Sequence, residues 1–67
     1  MTIRKWAGLI PTKCDICGKK LRRYFIDGAT PYGWAIMCET CHMEYGYGLG
    51  LGKGQKYSCK DGKKVEG

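Results

Sequence analysis

The chain has 67 residues, of which 12 are Lys or Arg and 6 are Asp or Glu, so its formal net charge is +6 at pH 7. A chain of this length forms one domain at most and buries only about 60% of its unfolded surface, which leaves a hydrophobic core alone marginal. The sequence lacks both the roughly 20 consecutive apolar residues of a membrane helix and the sustained 3.6-residue apolar period of a helical bundle.

The N-terminal segment, residues 1–13, is predicted to be an arm that precedes the domain. Its apolar stretch is broken by Gly8 and closed by Pro11, and it has no small-residue cleavage site of a signal peptide. We therefore expect a reducing, cytoplasmic setting, in which the cysteine thiolates are available to a metal. Trp6 and Ile10 could lie against the domain or belong to a mobile arm.

Two C-x2-C pairs, in CDICG and CETCH, are the strongest signal in the sequence. They comprise Cys14 with Cys17 and Cys38 with Cys41, and 20 residues separate the inner cysteines. This spacing is typical of a four-cysteine zinc site, in which each pair forms a tight turn and backbone N–H groups donate to the thiolates. Gly18 follows the first pair, where a positive φ is expected. The sequence therefore predicts one structural Zn²⁺ bound by these four cysteines.

The segment between the two pairs predicts a β-hairpin. Residues 21–27 (LRRYFID) and 34–38 (WAIMC) are rich in strand formers, and DGATPYG contains the glycines and proline of a long loop. A hairpin that carries a cysteine pair near each end indicates a zinc ribbon. We therefore predict a small metal-stabilised β domain with little helix over residues 14–67.

Other chemistries fit parts of the cysteine pattern. CETCH matches the C-x-x-C-H of covalent haem attachment, but this would leave Cys14 and Cys17 unused. Four thiolates also hold a single iron in rubredoxin. An HNH-type nuclease carries a similar motif but needs a histidine base and a second metal, and His42 is the single histidine. We interpret His42 as a residue beside the ligands or at the surface, and a degenerate nuclease scaffold stays open as an alternative.

A glycine stands at every second position of the segment 46–54. If the segment is extended, its odd-numbered side chains share one face and the opposite face is bare. A bare face admits another backbone, an aromatic ring or a sugar-phosphate chain. Packing over Trp34 or Tyr24, ligand contact and simple flexibility are the three interpretations. The spacing matches neither a P-loop nor a dinucleotide-binding fingerprint.

Residues 55–66 predict a C-terminal hairpin that turns at Asp61-Gly62. Cys59 lies in this segment, outside both C-x2-C pairs. We interpret it as a small buried hydrophobe of a strand, and the alternatives are a redox role or a fifth ligand.

The order of motifs CDICG, FIDGAT, WAIMCETCH, YGLGLGKGQKY and DGKKVEG resembles a group of short zinc-ribbon proteins encoded by bacteriophages and prophages. The resemblance covers residues 14–67. It implies metal binding by the four paired cysteines and a phage or bacterial cytosolic setting, and it implies no particular activity. KKLRR and Cys59 depart from the pattern of the group.

These features predict a non-enzymatic binding module whose function lies on its surface. A zinc ion with four thiolates carries a charge of −2, so the loaded protein keeps a net charge of about +4, which suits a polyanionic partner. The leading hypothesis is nucleic-acid binding through Lys19, Lys20, Arg22, Arg23, Tyr24, Trp34, Lys53 and Lys56. The alternatives are a structural component of a virion or replication complex, and a module that docks on a host enzyme or defence complex through Trp6, Tyr32, Tyr45 and Tyr47.

Overall fold

A computed structural model describes Trp6 and residues 8–67, and in this part of the chain one antiparallel sheet carries one short helix. The strands form the sheet in the order β2-β1-β3-β4, with every neighbouring pair antiparallel. The predicted small β domain with four clustered cysteines is confirmed. In chain order the elements are β1 (Tyr24–Thr30), β2 (Gly33–Met37), α1 (Glu39–Tyr45), β3 (Gly54–Ser58) and β4 (Lys64–Glu66).

The hairpin of β1 and β2 turns within two residues, not in the long loop that the sequence predicted. Thr30 pairs with Gly33 at the end of the ladder. The Thr30 hydroxyl donates to the Gly33 carbonyl at 2.7 Å and accepts the Tyr32 N–H at 3.0 Å. The predicted long loop is wrong because Gly28 lies inside β1 and not in the turn. A Cβ at Gly28 would instead lie 3.1 Å from the end of the Met37 side chain, so glycine here permits close packing inside the sheet.

The core lies on both faces of β1. Alternate residues of a strand face opposite sides, and Phe25 and Ile26 are both fully buried. Ile26 lies directly opposite Met37 in β2 and opposite Lys56 in β3. This face adjoins α1 because Lys56 forms an ion pair with Glu39. On the other face the Phe25 ring stacks on Tyr57, with 5.3 Å between ring centroids. Each fully buried side chain of this size contributes about 1.5–3 kcal/mol relative to an exposed one.

Trp6 belongs to this second half of the core. Its ring meets Phe25 and Tyr57 edge-on, at centroid distances of 5.2 and 5.3 Å, and its backbone N–H donates to the Gly62 carbonyl at 2.7 Å. Trp6 is therefore a half-buried packing residue, and the expectation that its side chain is exposed is wrong. Ile10 also packs against the core. The rest of the predicted arm before residue 8 lies outside the described residues.

The glycine-rich segment is a folded loop and not the extended strand of the alternating pattern. Positive φ angles of 93°, 129° and 75° at Gly48, Gly50 and Gly52 interrupt any extended run. Gly54 begins β3, and a Cβ there would lie 3.2 Å from the Gly28 Cα. The end of the segment thus packs against β1 at Gly28, and not over Trp34 or Tyr24 as the packing interpretation expects.

The C-terminal strands β3 and β4 pair around the turn at Asp61-Gly62. Gly62 has a φ of 75°, in the left-handed region that glycine adopts without steric cost. The Gly62 N–H donates to the Ser58 carbonyl, and the Ser58 N–H donates to the Lys63 carbonyl, each at 2.8 Å. The register shifts between Lys56 and Tyr57, which marks an irregularity in this ladder.

Candidate metal centre and basic groove

The first cysteine pair lies on a tight turn closed by backbone hydrogen bonds. Lys13 and Lys20 form an isolated antiparallel bridge on either side of the turn. The Cys14 N–H donates to the Lys19 carbonyl at 2.9 Å, and the Gly18 N–H donates to the Cys14 carbonyl at 3.0 Å. Gly18 has the predicted positive φ, 75°. The turn aims the two sulfurs of the pair at one point, as a zinc-binding knuckle requires.

The second pair lies at the start of α1, an element that the sequence analysis did not predict. Cys38 is the N-cap residue and Cys41 lies in the first turn, and the His42 N–H closes that turn by donating to the Cys38 carbonyl at 3.0 Å. Residues three apart face the same side of a helix. A C-x2-C pair at a helix start therefore brings its two sulfurs together as effectively as a knuckle does.

Asp15 joins the knuckle to the sheet. Its backbone N–H donates to the Ile36 carbonyl at 2.7 Å, and its carboxylate Oδ2 accepts the Ile36 N–H at 2.9 Å. These two bonds hold Cys14 and Cys17 beside the end of β2, one residue before Met37 leads into Cys38. Sequence reasoning missed this residue, because a single Asp between two cysteines has no recognisable pattern.

The four cysteine sulfurs lie within 4.8 Å of one another. The Cys17 and Cys38 sulfurs are 3.8 Å apart, which matches the edge of about 3.8 Å that a tetrahedron with metal–sulfur bonds of about 2.3 Å would have. Cys14 and Cys41 are buried, and Cys17 is exposed. This donor set fits a thiophilic ion such as zinc or iron. Cys14, Cys17, Cys38 and Cys41 are the residues that would hold it.

Hydrogen bonds prepare one of these sulfurs for a metal. Burial opposes ionisation of Cys14, but backbone N–H groups of Cys17, Cys38 and Ile16 favour the thiolate and lower the pKa of Cys14 from 9.0 to about 6. The Ile16 N–H lies 3.4 Å from the Cys14 sulfur. Burial, followed by hydrogen bonds with the neighbouring thiols, raises the pKa of Cys41. A bound cation reverses this effect because it deprotonates a coordinating thiol.

His42 fastens the glycine-rich segment to α1. Its Nε2 lies 2.9 Å from the Gly48 carbonyl oxygen. A Cβ at Gly46 would lie 2.7 Å from the His42 carbonyl oxygen and closer still to the imidazole ring. The described contacts of His42 are thus with the loop, and the metal-binding cluster contains four cysteines without it.

Cys59 lies directly after β3 and packs, half-buried, against the core. Its backbone N–H donates to the Arg23 carbonyl at 2.8 Å, and burial raises the pKa of its thiol. These contacts agree with a small hydrophobe at a strand end. Cys59 is not a member of the metal-binding cluster.

Five exposed basic residues lie around one end of β1, namely Lys19, Lys20, Arg22, Arg23 and Lys60. Two adjoining concavities, with volumes of about 330 and 440 Å³, share Arg22, Arg23 and Tyr24. We call them together the basic groove. The first also contacts the start of α1 through Cys38, Glu39 and Thr40, and the second reaches the end of β3. The predicted nucleic-acid contacts that line the groove are Lys19, Lys20, Arg22, Arg23 and Tyr24.

The other three predicted contacts are placed differently. Lys56 forms an ion pair with Glu39, with 2.8 Å between Nζ and Oε2. Trp34 pairs with Ala29 at the far end of β1, on the opposite sheet face from Tyr24. Lys53 also lies at that far end, where its carbonyl accepts the Ala29 N–H at 2.9 Å. Trp34 and Lys53 therefore do not belong to the basic groove.

No protein-family model, curated protein or solved structure matches this chain significantly. The fold and the cysteine cluster define its class, a small metal-binding β domain. Within the part of the chain that the structure describes, no helix has the length and apolar character needed to cross a membrane.

Proposed function

We propose that the protein is a non-enzymatic zinc module in which one Zn²⁺, bound by the four paired cysteines, stabilises the fold. The sulfur separation of 3.8 Å between Cys17 and Cys38 supports this proposal. Among the described residues, the largest fully buried side chains are those of Phe25, Ile26 and Met37. Metal binding would supply on the order of 10 kcal/mol of coupled folding free energy. When bound, zinc supplies four metal–sulfur bonds that join the knuckle to α1.

We further propose that the basic groove binds nucleic acid. The observation that carries this proposal is the convergence of Lys19, Lys20, Arg22 and Arg23 around two adjoining concavities. Phosphate contacts of this kind give affinity without sequence readout, and they release counterions. A cytoplasmic accessory role in a phage or bacterium is part of the proposal. The cytoplasmic setting draws on the N-terminal sequence and the paired cysteines, and the phage or bacterial origin draws on the sequence resemblance.

Equilibrium binding of zinc-loaded protein to a labelled oligonucleotide at increasing salt tests the proposal. Each phosphate contact adds about 0.7 to the slope of log affinity against log salt for a single strand. The paired substitution R22Q/R23Q should therefore lower the affinity and reduce the slope by about 1.4. K53Q/K63Q is the matched control, because it removes the same charge from two exposed residues that do not line the groove.

Equal losses in the two double variants would mean that net charge, and not the groove, attracts the nucleic acid. Absence of salt-dependent binding by the native protein would overturn the nucleic-acid proposal and turn the search to a protein partner. Tyr32 and Tyr47 are the exposed aromatic residues to substitute first in that case.

A further inference from the structure

We infer that the basic groove takes a single strand, with one base stacked on Tyr24 and with Lys56 passing from Glu39 to a phosphate of the strand. This inference rests on the proposed nucleic-acid function and names the class of nucleic acid and the residues that select it.

The position of Tyr24 is the first observation. Tyr24 lines both concavities of the basic groove, as do Arg22 and Arg23. It begins β1 and shares the sheet face of Ile26. A nucleic-acid backbone that follows the basic side chains therefore passes close to Tyr24.

The second observation is an ion pair that covers the ring. The Lys56 ammonium lies 4.5 Å from the centroid of the Tyr24 ring and 2.8 Å from the Glu39 carboxylate. Glu39 is itself part of the groove lining, and its side chain is 57% exposed. The Glu39 carboxylate thus accepts the hydrogen bond from Lys56 that a phosphate oxygen would accept, since both anions bind an ammonium in the same way.

Exchange of the Glu39 carboxylate for a phosphate of the strand allows both Lys56 and Tyr24 to contact the nucleic acid. When a phosphate replaces Glu39, Lys56 adds one cation to the groove and can leave the face of Tyr24. The freed ring then offers a stacking surface. Glu39 acts in this scheme as an internal competitor that weakens the binding of every polyanion.

The stacking surface selects single strands. Aromatic side chains in basic grooves stack on bases that are free of a duplex, whereas the bases of a duplex are stacked on one another. Trp34, the other predicted stacking residue, lies on the opposite face of the sheet at the far end of β1. Tyr24 therefore lies beside the basic residues of the groove, and Trp34 does not.

The test compares three labelled probes on the zinc-loaded full chain: oligothymidylate, a duplex of the same length, and an abasic strand with the same phosphates. Y24A should weaken oligothymidylate binding about 5- to 100-fold and leave duplex and abasic binding within twofold. Y24F keeps the ring and should bind like the native protein, and W34A is the matched aromatic control.

Two measurements keep the test independent of how well Y24A folds. In the native protein, oligothymidylate should shift the ring proton resonances of Tyr24 upfield, and the abasic strand should not. K56Q should reduce the salt slope for oligothymidylate by about 0.7, since it removes one phosphate contact. E39Q should strengthen binding of all three probes, whereas E44Q, a matched change on the same helix outside the basic groove, should not.

The outcomes separate the inference from the function on which it rests. If no probe shows salt-dependent binding, the nucleic-acid function and the inference both fail. If all three probes bind with equal salt dependence, and neither Y24A nor K56Q changes the difference between them, the inference alone is overturned. A loss in Y24A that is restricted to oligothymidylate supports it.

Discussion

Asp15 and Ile36 exchange two hydrogen bonds, one between backbone groups at 2.7 Å and one from the Ile36 N–H to the Asp15 carboxylate at 2.9 Å. The hydrogen bond to the Asp15 carboxylate is charge-assisted, and both hydrogen bonds lie on the side of β2 that faces away from β1. Through this pair the knuckle is hydrogen-bonded to the outer edge of β2, beside the sheet. These hydrogen bonds therefore anchor the metal centre to the sheet in addition to any metal–sulfur bonds.

Replacing Asp15 with Ala should destabilise the zinc-loaded protein by about 1 kcal/mol, because the contact is solvent-exposed and its N–H can bond to water instead. Zinc transfer to a competing chelator should also become faster, since the knuckle is held less firmly. Urea unfolding and a chromogenic chelator measure the two effects. K13A, an exposed neighbour, is the control, and the same loss in both variants would contradict a specific role for the carboxylate.

Removal of the metal should unfold the chain, because metal binding and folding of so small a domain are coupled. Excess chelator should abolish the near-ultraviolet circular dichroism of the packed aromatic residues, and one equivalent of Zn²⁺ should restore it. C41S should fail to bind zinc stoichiometrically. C59S should retain one zinc per chain, since Cys59 lies outside the cluster. A native spectrum in the metal-free protein would refute the structural role of the metal.

Zinc binding should weaken as the pH falls, because protons compete with the metal for the thiolates. The direction is fixed by the ligand chemistry: every coordinating sulfur is deprotonated in the complex, so acidification favours release. Competition titrations at several pH values measure the dependence. An affinity that does not change between neutral and acidic pH would show that ligands other than thiolates hold the ion.

Trp6→Ala should cost roughly 2–4 kcal/mol, because the indole fills the space against Phe25 and Tyr57 and is half-buried. Trp34→Ala is the same substitution at a site that is 55% exposed, and it should cost less than about 1 kcal/mol. Thermal unfolding of the two zinc-loaded variants makes the comparison. Equal costs would place Trp6 outside the core.

Gly46→Ala should destabilise the protein by about 1–3 kcal/mol through overpacking. The new Cβ would lie 2.7 Å from the His42 carbonyl oxygen, so backbone and not only a side chain must move. Amide hydrogen exchange should become faster in residues 46–54, whose attachment to α1 depends on His42. Unchanged exchange there would mean that the segment is held by its other contacts, and Lys53→Ala in the same loop controls for a nonspecific effect.

The cysteine spacing is sufficient to predict the metal cluster, because each C-x2-C pair brings its two sulfurs together within one local turn. The four ligands Cys14, Cys17, Cys38 and Cys41 can therefore be recognised from their positions in the sequence. The helix α1 could not be predicted in the same way. It has seven residues, and Cys41 is the buried residue among them, so it shows no apolar period. A helix this short is marginal alone, and its formation depends on the tertiary contacts of its first turn.

Glycine was the residue that sequence reasoning interpreted least well. The sequence predicts Gly28 in a loop, and its alternating glycines are compatible with an extended segment 46–54. In the structure Gly28 lies inside β1, and the glycine-rich segment is a folded loop up to the start of β3 at Gly54. At Gly28 and Gly46 the absence of a Cβ allows a neighbour to approach closely. The neighbour is set by the tertiary packing of the chain, so the sequence next to the glycine does not identify it.

The hydrogen bonds between Asp15 and Ile36 also protect the outer edge of β2. An edge strand with unpaired backbone groups is a template on which a second chain can add a strand. The knuckle covers that edge only while its two cysteines are held in place. Loss of the metal, which should unfold the domain, would thus also remove the cover from the segment that forms β2, which includes the exposed Trp34. Metal-depleted protein should therefore self-associate into aggregates that the loaded form resists.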